Sequence, residues 1–220
     1  MAVGRGLFIT FEGIEGAGKT VQVRRLAEHL EHEGAKVQLV REPGGTPLGE
    51  RIREVLLFAR EVRLSPEAQA LLFSAARAQL TREVIIPSLD AGVHVIADRY
   101  FDSTLAYQGY GYGADIEGLR SVTRFAIGAL LPDLTVLLDL PAAEGLRRIG
   151  QRSGRIDRFE AGDEAFHRRV RDGYLSLARS QPARFFVVNA KAEETEVARL
   201  IAGRVDDEIR ARSSRVAARP

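Results

Sequence analysis

The chain has 220 residues, 45% of them hydrophobic, and 32 basic against 30 acidic side chains leave a formal charge of +2. That is enough chain to bury one good core, and a surface of mixed sign has no general polyelectrolyte character, so a nucleic-acid partner is not implied. Cysteine is absent, which excludes a disulfide framework and a cysteine-ligated metal. No apolar run approaches the roughly 20 residues that span a bilayer, and the N-terminus lacks the order of a secretion signal. The expectation is a cytoplasmic protein with no membrane partner.

In chain order, Leu7 to Glu12 (LFITFE) is a β-rich run entering a glycine cluster. From Lys19 to Glu33 the apolar residues Val23, Leu26, Ala27 and Leu30 recur at helical spacing. Gly34 ends that helix, Lys36 to Val40 reads as a second strand, and Glu42-Pro43-Gly44-Gly45 must be a loop. Ser65-Pro66-Glu67 is an N-cap followed by proline at the first helical position, opening a long helix toward Ile86. Val93 to Ala97, Thr135 to Leu140 and Arg184 to Val188 complete the strands, with helical patterns between them. Apolar strands alternating with helices predict an α/β fold: a three-layer, doubly wound parallel sheet of about five strands flanked by helices. One domain over residues 1–210 is expected, with Ala211 to Pro220 as a flexible tail.

Gly13-Ile14-Glu15-Gly16-Ala17-Gly18-Lys19-Thr20 satisfies the phosphate-loop pattern G-x-x-x-x-G-K-[ST] between a predicted strand and a predicted helix. Glycines let the backbone wrap phosphate oxygens with inward N–H groups, and the helix N-terminus adds partial positive charge. Lys19 is expected to reach the β and γ phosphates of ATP, and the Thr20 hydroxyl to ligate Mg²⁺. A guanine reader of the N-K-x-D type is missing, because Val188-Asn189-Ala190-Lys191-Ala192 has no following aspartate. Asp98-Arg99-Tyr100 follows the third strand, which puts Asp98 at a strand's C-terminal end beside the phosphate loop, placed for Mg²⁺. Arg99 is expected to point across the same crevice toward an acceptor phosphate.

The run Asp98-Arg99-Tyr100-Phe101-Asp102-Ser103-Thr104-Leu105-Ala106-Tyr107-Gln108-Gly109 resembles the signature of thymidylate kinases. Arg41-Glu42-Pro43-Gly44-Gly45-Thr46 is similar to that family's REPGG loop, and Phe73 to Gln79 to its nucleobase-reading helix. Together with the phosphate loop, these motifs stand in the family's order over residues 7–190. The resemblance implies that Phe73 stacks on thymine and Arg77 hydrogen-bonds its exocyclic oxygen. It assigns Arg53 and Arg99 to the monophosphate, Thr104 and Gln108 to the base region, and Glu42 to the acceptor-site loop. Ser103 and Tyr107 shape that pocket, and Glu15 contacts the deoxyribose 3′-hydroxyl.

From Arg147 to Arg158 the chain reads RRIGQRSGRIDR, with five arginines. This is expected to be a lid, about residues 147–160, closing on the γ-phosphate, since in-line phosphoryl transfer needs positive charge more than covalent chemistry. The family has forms with an arginine in the phosphate loop and forms that carry it in the lid. Ala17 stands in the loop here, which resembles the second form and makes Arg152, Arg155 and Arg158 candidates, Arg155 first. The implied activity is transfer of the γ-phosphoryl of Mg-ATP to dTMP by a homodimer. The rival readings are a deoxynucleoside kinase, which needs a carboxylate beside a 5′-hydroxyl, and a nucleotide-binding switch ATPase.

Overall fold

Five short apolar segments assemble into one all-parallel sheet in a computed structural model of the chain, which describes residues 5–59, 61–151 and 157–217. They are β1 (Phe8–Glu12), β2 (Val37–Arg41), β3 (His94–Asp98), β4 (Leu134–Asp139) and β5 (Phe185–Asn189). The order is β2-β3-β1-β4-β5, with Phe8 in register with Val95, and Ile9 with Leu134. β1 lies at the centre and is buried at all five positions, which is why Phe8, Ile9 and Phe11 put apolar side chains on both of its faces. The chain reverses its direction of winding beside β1, so the loops that leave β1, β3 and β4 open into one crevice at the strands' C-terminal ends.

Helices cover both faces: α1 (Lys19–His32), α2 (Pro47–Arg53), α3 (Pro66–Leu80), α4 (Ile86–Asp90), α5 (Phe101–Thr104), α6 (Ile116–Ile127), α7 (Ala142–Gly150), α8 (Glu164–Ser180) and α9 (Glu194–Ala217). The α/β, doubly wound reading holds. The Ser65 hydroxyl caps α3 by accepting from Ala68 N. The long helix expected from Pro66 to Ile86 is in fact divided. α3 ends at Leu80, a wider π-helical turn occupies Thr81–Ile85, and α4 follows. Pro87 is the physical reason, because it has no N–H to give the carbonyl of Glu83 and the ladder must open ahead of it.

The C-terminal segment also differs from expectation. α9 continues through Ala217, and Arg212 Nη1 reaches Asp133 Oδ2 at 3.2 Å, which ties residues past 211 to the body. α9 lies along α1, joined by the Arg25–Glu194 pair and by His29 Nε2 to Asp206 Oδ1 at 2.9 Å. Polar residues inside the sheet are paired: Arg184 forks onto Asp102 at 2.6 and 2.9 Å and reaches Thr135, whose hydroxyl meets Thr10 at 2.9 Å.

Candidate active site

The phosphate loop leaves β1 and turns into α1. Gly13 and Gly16 have φ of 139° and 74°, and a side chain at either would drive Cβ to 2.6 Å from the carbonyl oxygen of Leu138 or Gly145. Only glycine fits both demands. Gly18 is the N-cap of α1 and supplies no side-chain cap, so the first N–H groups of the helix remain for an anion. Buried Ala17 packs within the loop. Lys19 curls back, its Nζ donating to the carbonyls of Gly13 at 3.0 Å and Ile14 at 2.8 Å. Burial, then Arg99, lowers its pKa to about 8. The Thr20 hydroxyl donates to Asp98 Oδ2 at 2.7 Å, joining the two oxygens proposed for a cation. A hydroxyl and one carboxylate suit Mg²⁺, a hard ion that takes one or two protein ligands and completes its shell with phosphate oxygens and water.

Arg99 follows β3 with φ 73°, a left-handed conformation that costs energy for a non-glycine residue unless its surroundings fix it. They do. Its Nη1 donates to Gly13 O, Ser103 Oγ and Tyr174 OH at 3.1, 3.1 and 3.2 Å, and its Nη2 to Glu15 Oε1 and Tyr107 OH at 2.8 and 3.1 Å. Tyr107 also donates to Glu15 Oε1 at 2.5 Å. Burial opposes ionisation of Glu15, but Arg99, His167, Lys19 and Tyr107 outweigh it and hold the carboxyl down at about 2. Glu15 is thus a fixed anion at the loop's edge, turned to cations and hydroxyls rather than to the phosphate-binding N–H groups. Beneath it lies Glu12, fully buried, accepting from Tyr100 N, Ser103 Oγ and Tyr174 OH at 2.8, 2.6 and 2.9 Å. Burial and the charge of Asp102 raise Glu12 to about 7.

A cleft of about 1020 Å³ runs from Lys19 and Thr20 to Phe73 and Gln108. Glu42, Arg53, Arg99, Ser103, Thr104 and Tyr107 line it between those ends. Arg53, at the end of α2, donates to Pro43 O at 2.8 Å, which aims α2 at the loop after β2. Arg77 stands behind the wall instead of lining it. Its Nε donates to Glu42 Oε2 at 2.7 Å and its Nη2 to Thr104 Oγ1 at 3.1 Å, and both of those partners face the cleft. Gln108 Nε2 donates to Gln69 Oε1 at 3.1 Å, so the floor of the pocket is polar and fixed. Asp157, at the end of the arginine-rich stretch, and Phe159 and Glu160 just beyond it also line the cleft. The rings of Phe73 and Phe159 are 5.8 Å apart and tilted by 45°.

The thymidylate kinase family model matches residues 11–201. Thymidylate kinase of Deinococcus radiodurans is 53% identical over 193 residues, covering 88% of this chain and 93% of that protein. That of Carboxydothermus hydrogenoformans is 52% identical with the same coverage. The crystal structure of thymidylate kinase from Ehrlichia chaffeensis superposes with a TM-score of 0.74 at 34% identity, over 91% of this chain and 99% of the other. This chain belongs to the thymidylate kinase family. The phosphate loop, the Asp98–Gly109 run and the REPGG-like loop stand around one cleft, as a thymidylate kinase sequence predicts.

Of the three arginines expected to act in a lid, Arg158 alone is among the described residues. Arg152 and Arg155 lie outside the described residues. Arg158 is turned to α2's end, donating to the carbonyls of Leu56, Ala59 and Val62 at 3.0, 2.7 and 3.0 Å. Arg148, in the last turn of α7, lines the cleft and spans the carbonyls of Gly16 and Ala190 at 3.3 and 3.2 Å. Sequence reasoning did not single out Arg148, Phe159, Glu12, Tyr174 or His167. Phe159 carried a signal, as the one aromatic inside a polar stretch; Glu12 read simply as the end of a strand.

Proposed function

We propose that this chain transfers the γ-phosphoryl group of ATP to the 5′-phosphate of dTMP, giving ADP and dTDP. The observation that carries the reading is one cleft that runs from a phosphate loop to a polar-floored end lined by Phe73 and Phe159. A phosphate oxygen of the acceptor attacks the γ-phosphorus, the bond from that phosphorus to the β–γ bridging oxygen breaks, and ADP leaves with the electron pair. No general base is needed, since the attacking oxygen is already anionic.

In this reading the loop N–H groups and Lys19 hold the triphosphate, and Lys19 exchanges its two backbone carbonyls for phosphate oxygens. Thr20 and Asp98 hold Mg²⁺, which supplies charge neutralisation on the phosphates when bound. Arg53 and Arg99 receive the monophosphate, with Arg99 between the two ends of the cleft. Phe73 stacks on the base with Phe159 packed beside it, while Glu42, Thr104 and Gln108, backed by Arg77, read the base's polar edge. Arg77 Nη1 and Glu42 Oε1 have no hydrogen-bond partner among the described residues, unspent polar capacity of the kind a base with carbonyl and N–H groups uses. Glu15 meets the sugar hydroxyl, and Arg152, Arg155 and Arg148 supply positive charge as the lid closes. A deoxynucleoside kinase is disfavoured because Arg53 and Arg99 suit an acceptor that already carries phosphate.

A homodimer packed through α3 and α6 goes with this reading: Phe125 on α6 is 92% exposed and Leu71 on α3 57%, an expense of apolar surface that a partner would recover. Substrates of this kind place the enzyme in the cytoplasm. The deciding experiment is coupled ADP release with Mg-ATP and a panel of dTMP, dUMP, dCMP, UMP and thymidine. Release with dTMP that Lys19→Ala abolishes is expected; silence across the panel would reject the reading.

A further inference from the structure

We propose that His167 is a positioning residue for Glu15: its Nδ1 fixes the plane of that carboxylate so that it reads the acceptor's sugar hydroxyl, which joins helix α8 to the phosphate loop. The assignment rests on the kinase reading above and deepens it at one contact.

His167 is only 1% exposed, on the first turn of α8. The Phe166 ring is 5.5 Å away, and Gly162 leaves room for the imidazole, since a Cβ there would come to 3.3 Å from His167 Nε2. Nε2 has no hydrogen-bond partner among the described residues. The polar neighbour of the ring is Glu15, whose Oε2 stands 3.2 Å from Nδ1. Burying an imidazole in such a place is costly unless its polar edge finds a partner, so the site favours histidine over an apolar residue only because of that carboxylate.

The carboxylate needs the contact for its own reasons. Arg99 and Tyr107 both donate to Oε1, which leaves rotation about the axis through Oε1 unrestrained. Oε2 is buried and makes no fully aligned hydrogen bond, so His167 is what stands against it. A carboxylate offers about four acceptor positions, and here two are filled at Oε1. An acceptor-only group that lines the cleft reads a donor, and dTMP carries a single hydroxyl, at 3′. An unanchored Glu15 would also be drawn toward Lys19, into the space of the triphosphate, where like charge would work against ATP.

The test compares kcat/KM for dTMP with that for its 3′-deoxy analogue at saturating Mg-ATP, in the full chain and in His167→Asn, His167→Gln and His167→Leu. Asparagine puts an amide N–H where Nδ1 stands; glutamine puts it near Nε2, away from Glu15. The preference for dTMP over the 3′-deoxy analogue is expected to fall about tenfold in His167→Leu and His167→Gln, the loss of one hydrogen bond to a charged group. His167→Asn should retain it. The double variant Glu15→Gln with His167→Gln should lose no more preference than Glu15→Gln alone. If His167→Leu does not fold, the glutamine and asparagine variants decide. Equal losses with both acceptors, leaving the preference intact, would show that His167 merely packs and would overturn the proposal. An unaltered protein that turns over dTMP without regard to the 3′-hydroxyl would also overturn it while leaving the kinase reading in place. An unaltered protein inert toward dTMP would overturn both.

Discussion

Arg77 Nε lies 2.7 Å from Glu42 Oε2 with the two side chains 1% and 3% exposed, so an oppositely charged pair is sealed into the wall of the cleft. Burial pushes the Glu42 carboxyl upward even with Arg77 beside it. Such a pair contributes little net stability as a unit, but losing one member leaves the other stranded. Arg77→Ala is expected to cost about 3–5 kcal/mol of stability and to raise KM for dTMP far more than KM for ATP. Arg77→Met combined with Glu42→Gln removes both charges at similar volume; it should recover most of the stability and none of the dTMP affinity. Urea unfolding alongside steady-state kinetics separates the two effects, and a double variant as unstable as Arg77→Ala would refute the argument.

Glu12 makes folding depend on pH in a defined window. Its carboxyl is raised from 4.5 to about 7, first by burial and then by Asp102. Between those values the folded chain keeps a proton that the unfolded chain has released. The stabilisation is therefore complete below pH 4.5 and is lost as pH rises through 7. Its size is on the order of 3 kcal/mol. Glu15, held down at about 2, acts oppositely: its contribution is present above pH 4.5 and disappears on acidification through 2. Glu12→Gln mimics the protonated carboxyl at every pH. Unfolding midpoints from pH 4.5 to 8 should decline less in that variant than in the parent, and superimposable profiles would remove Glu12 from the account.

Lys19 carries a pH dependence of binding. With a pKa lowered to about 8 by burial and by Arg99, it loses its charge in the free protein just above neutrality, whereas a triphosphate requires the ammonium form. ATP affinity should hold level up to pH 8 and then weaken by up to about tenfold per pH unit. Lys19→Ala should bind weakly at all pH values and show no such break. Titration calorimetry from pH 7 to 9.5 reads this directly, and a break that persists in Lys19→Ala would assign it to another group.

What the sequence made legible is what local spacing encodes. The phosphate loop needs glycine at Gly13 and Gly16 because backbone carbonyls crowd them, and that need is written within eight residues. The β1 strand carries Phe8, Ile9 and Phe11 on its two faces because both faces are covered. The unread part lies in long-range pairing. Glu12 looks like the polar end of a strand until Tyr174, 162 residues away, donates to it. Arg158 is indistinguishable by composition from Arg152 and Arg155, yet it binds the carbonyl of Leu56, 102 residues earlier. Nothing near either residue announces these partners. The break of the expected helix at Leu80 was locally encoded by Pro87, whose effect is felt a turn upstream of its own position.

Phe159 is the residue by which the segment ahead of α8 joins the cleft. It is 5% exposed, lines the cleft beside Phe73 and meets the Tyr107 ring edge-on, with centroids 5.7 Å apart. A backbone turn fixes it, since Asp157 Oδ1 accepts from Phe159 N at 2.8 Å and from Glu160 N at 2.9 Å. If a base lies against the Phe73–Phe159 pair, each ring it touches contributes about 1–3 kcal/mol of stacking. Phe159→Ala should then raise KM for dTMP by roughly ten- to a hundredfold with KM for ATP little changed, and Phe73→Ala should do the same. Phe159→Leu keeps the bulk that packs on Tyr107 but not the aromatic face, so it should match the parent in melting temperature while retaining most of the KM defect. Were Phe159→Leu to bind dTMP as well as the parent, the residue would be filling space between Phe73 and Tyr107 and the base would be held by Phe73 alone.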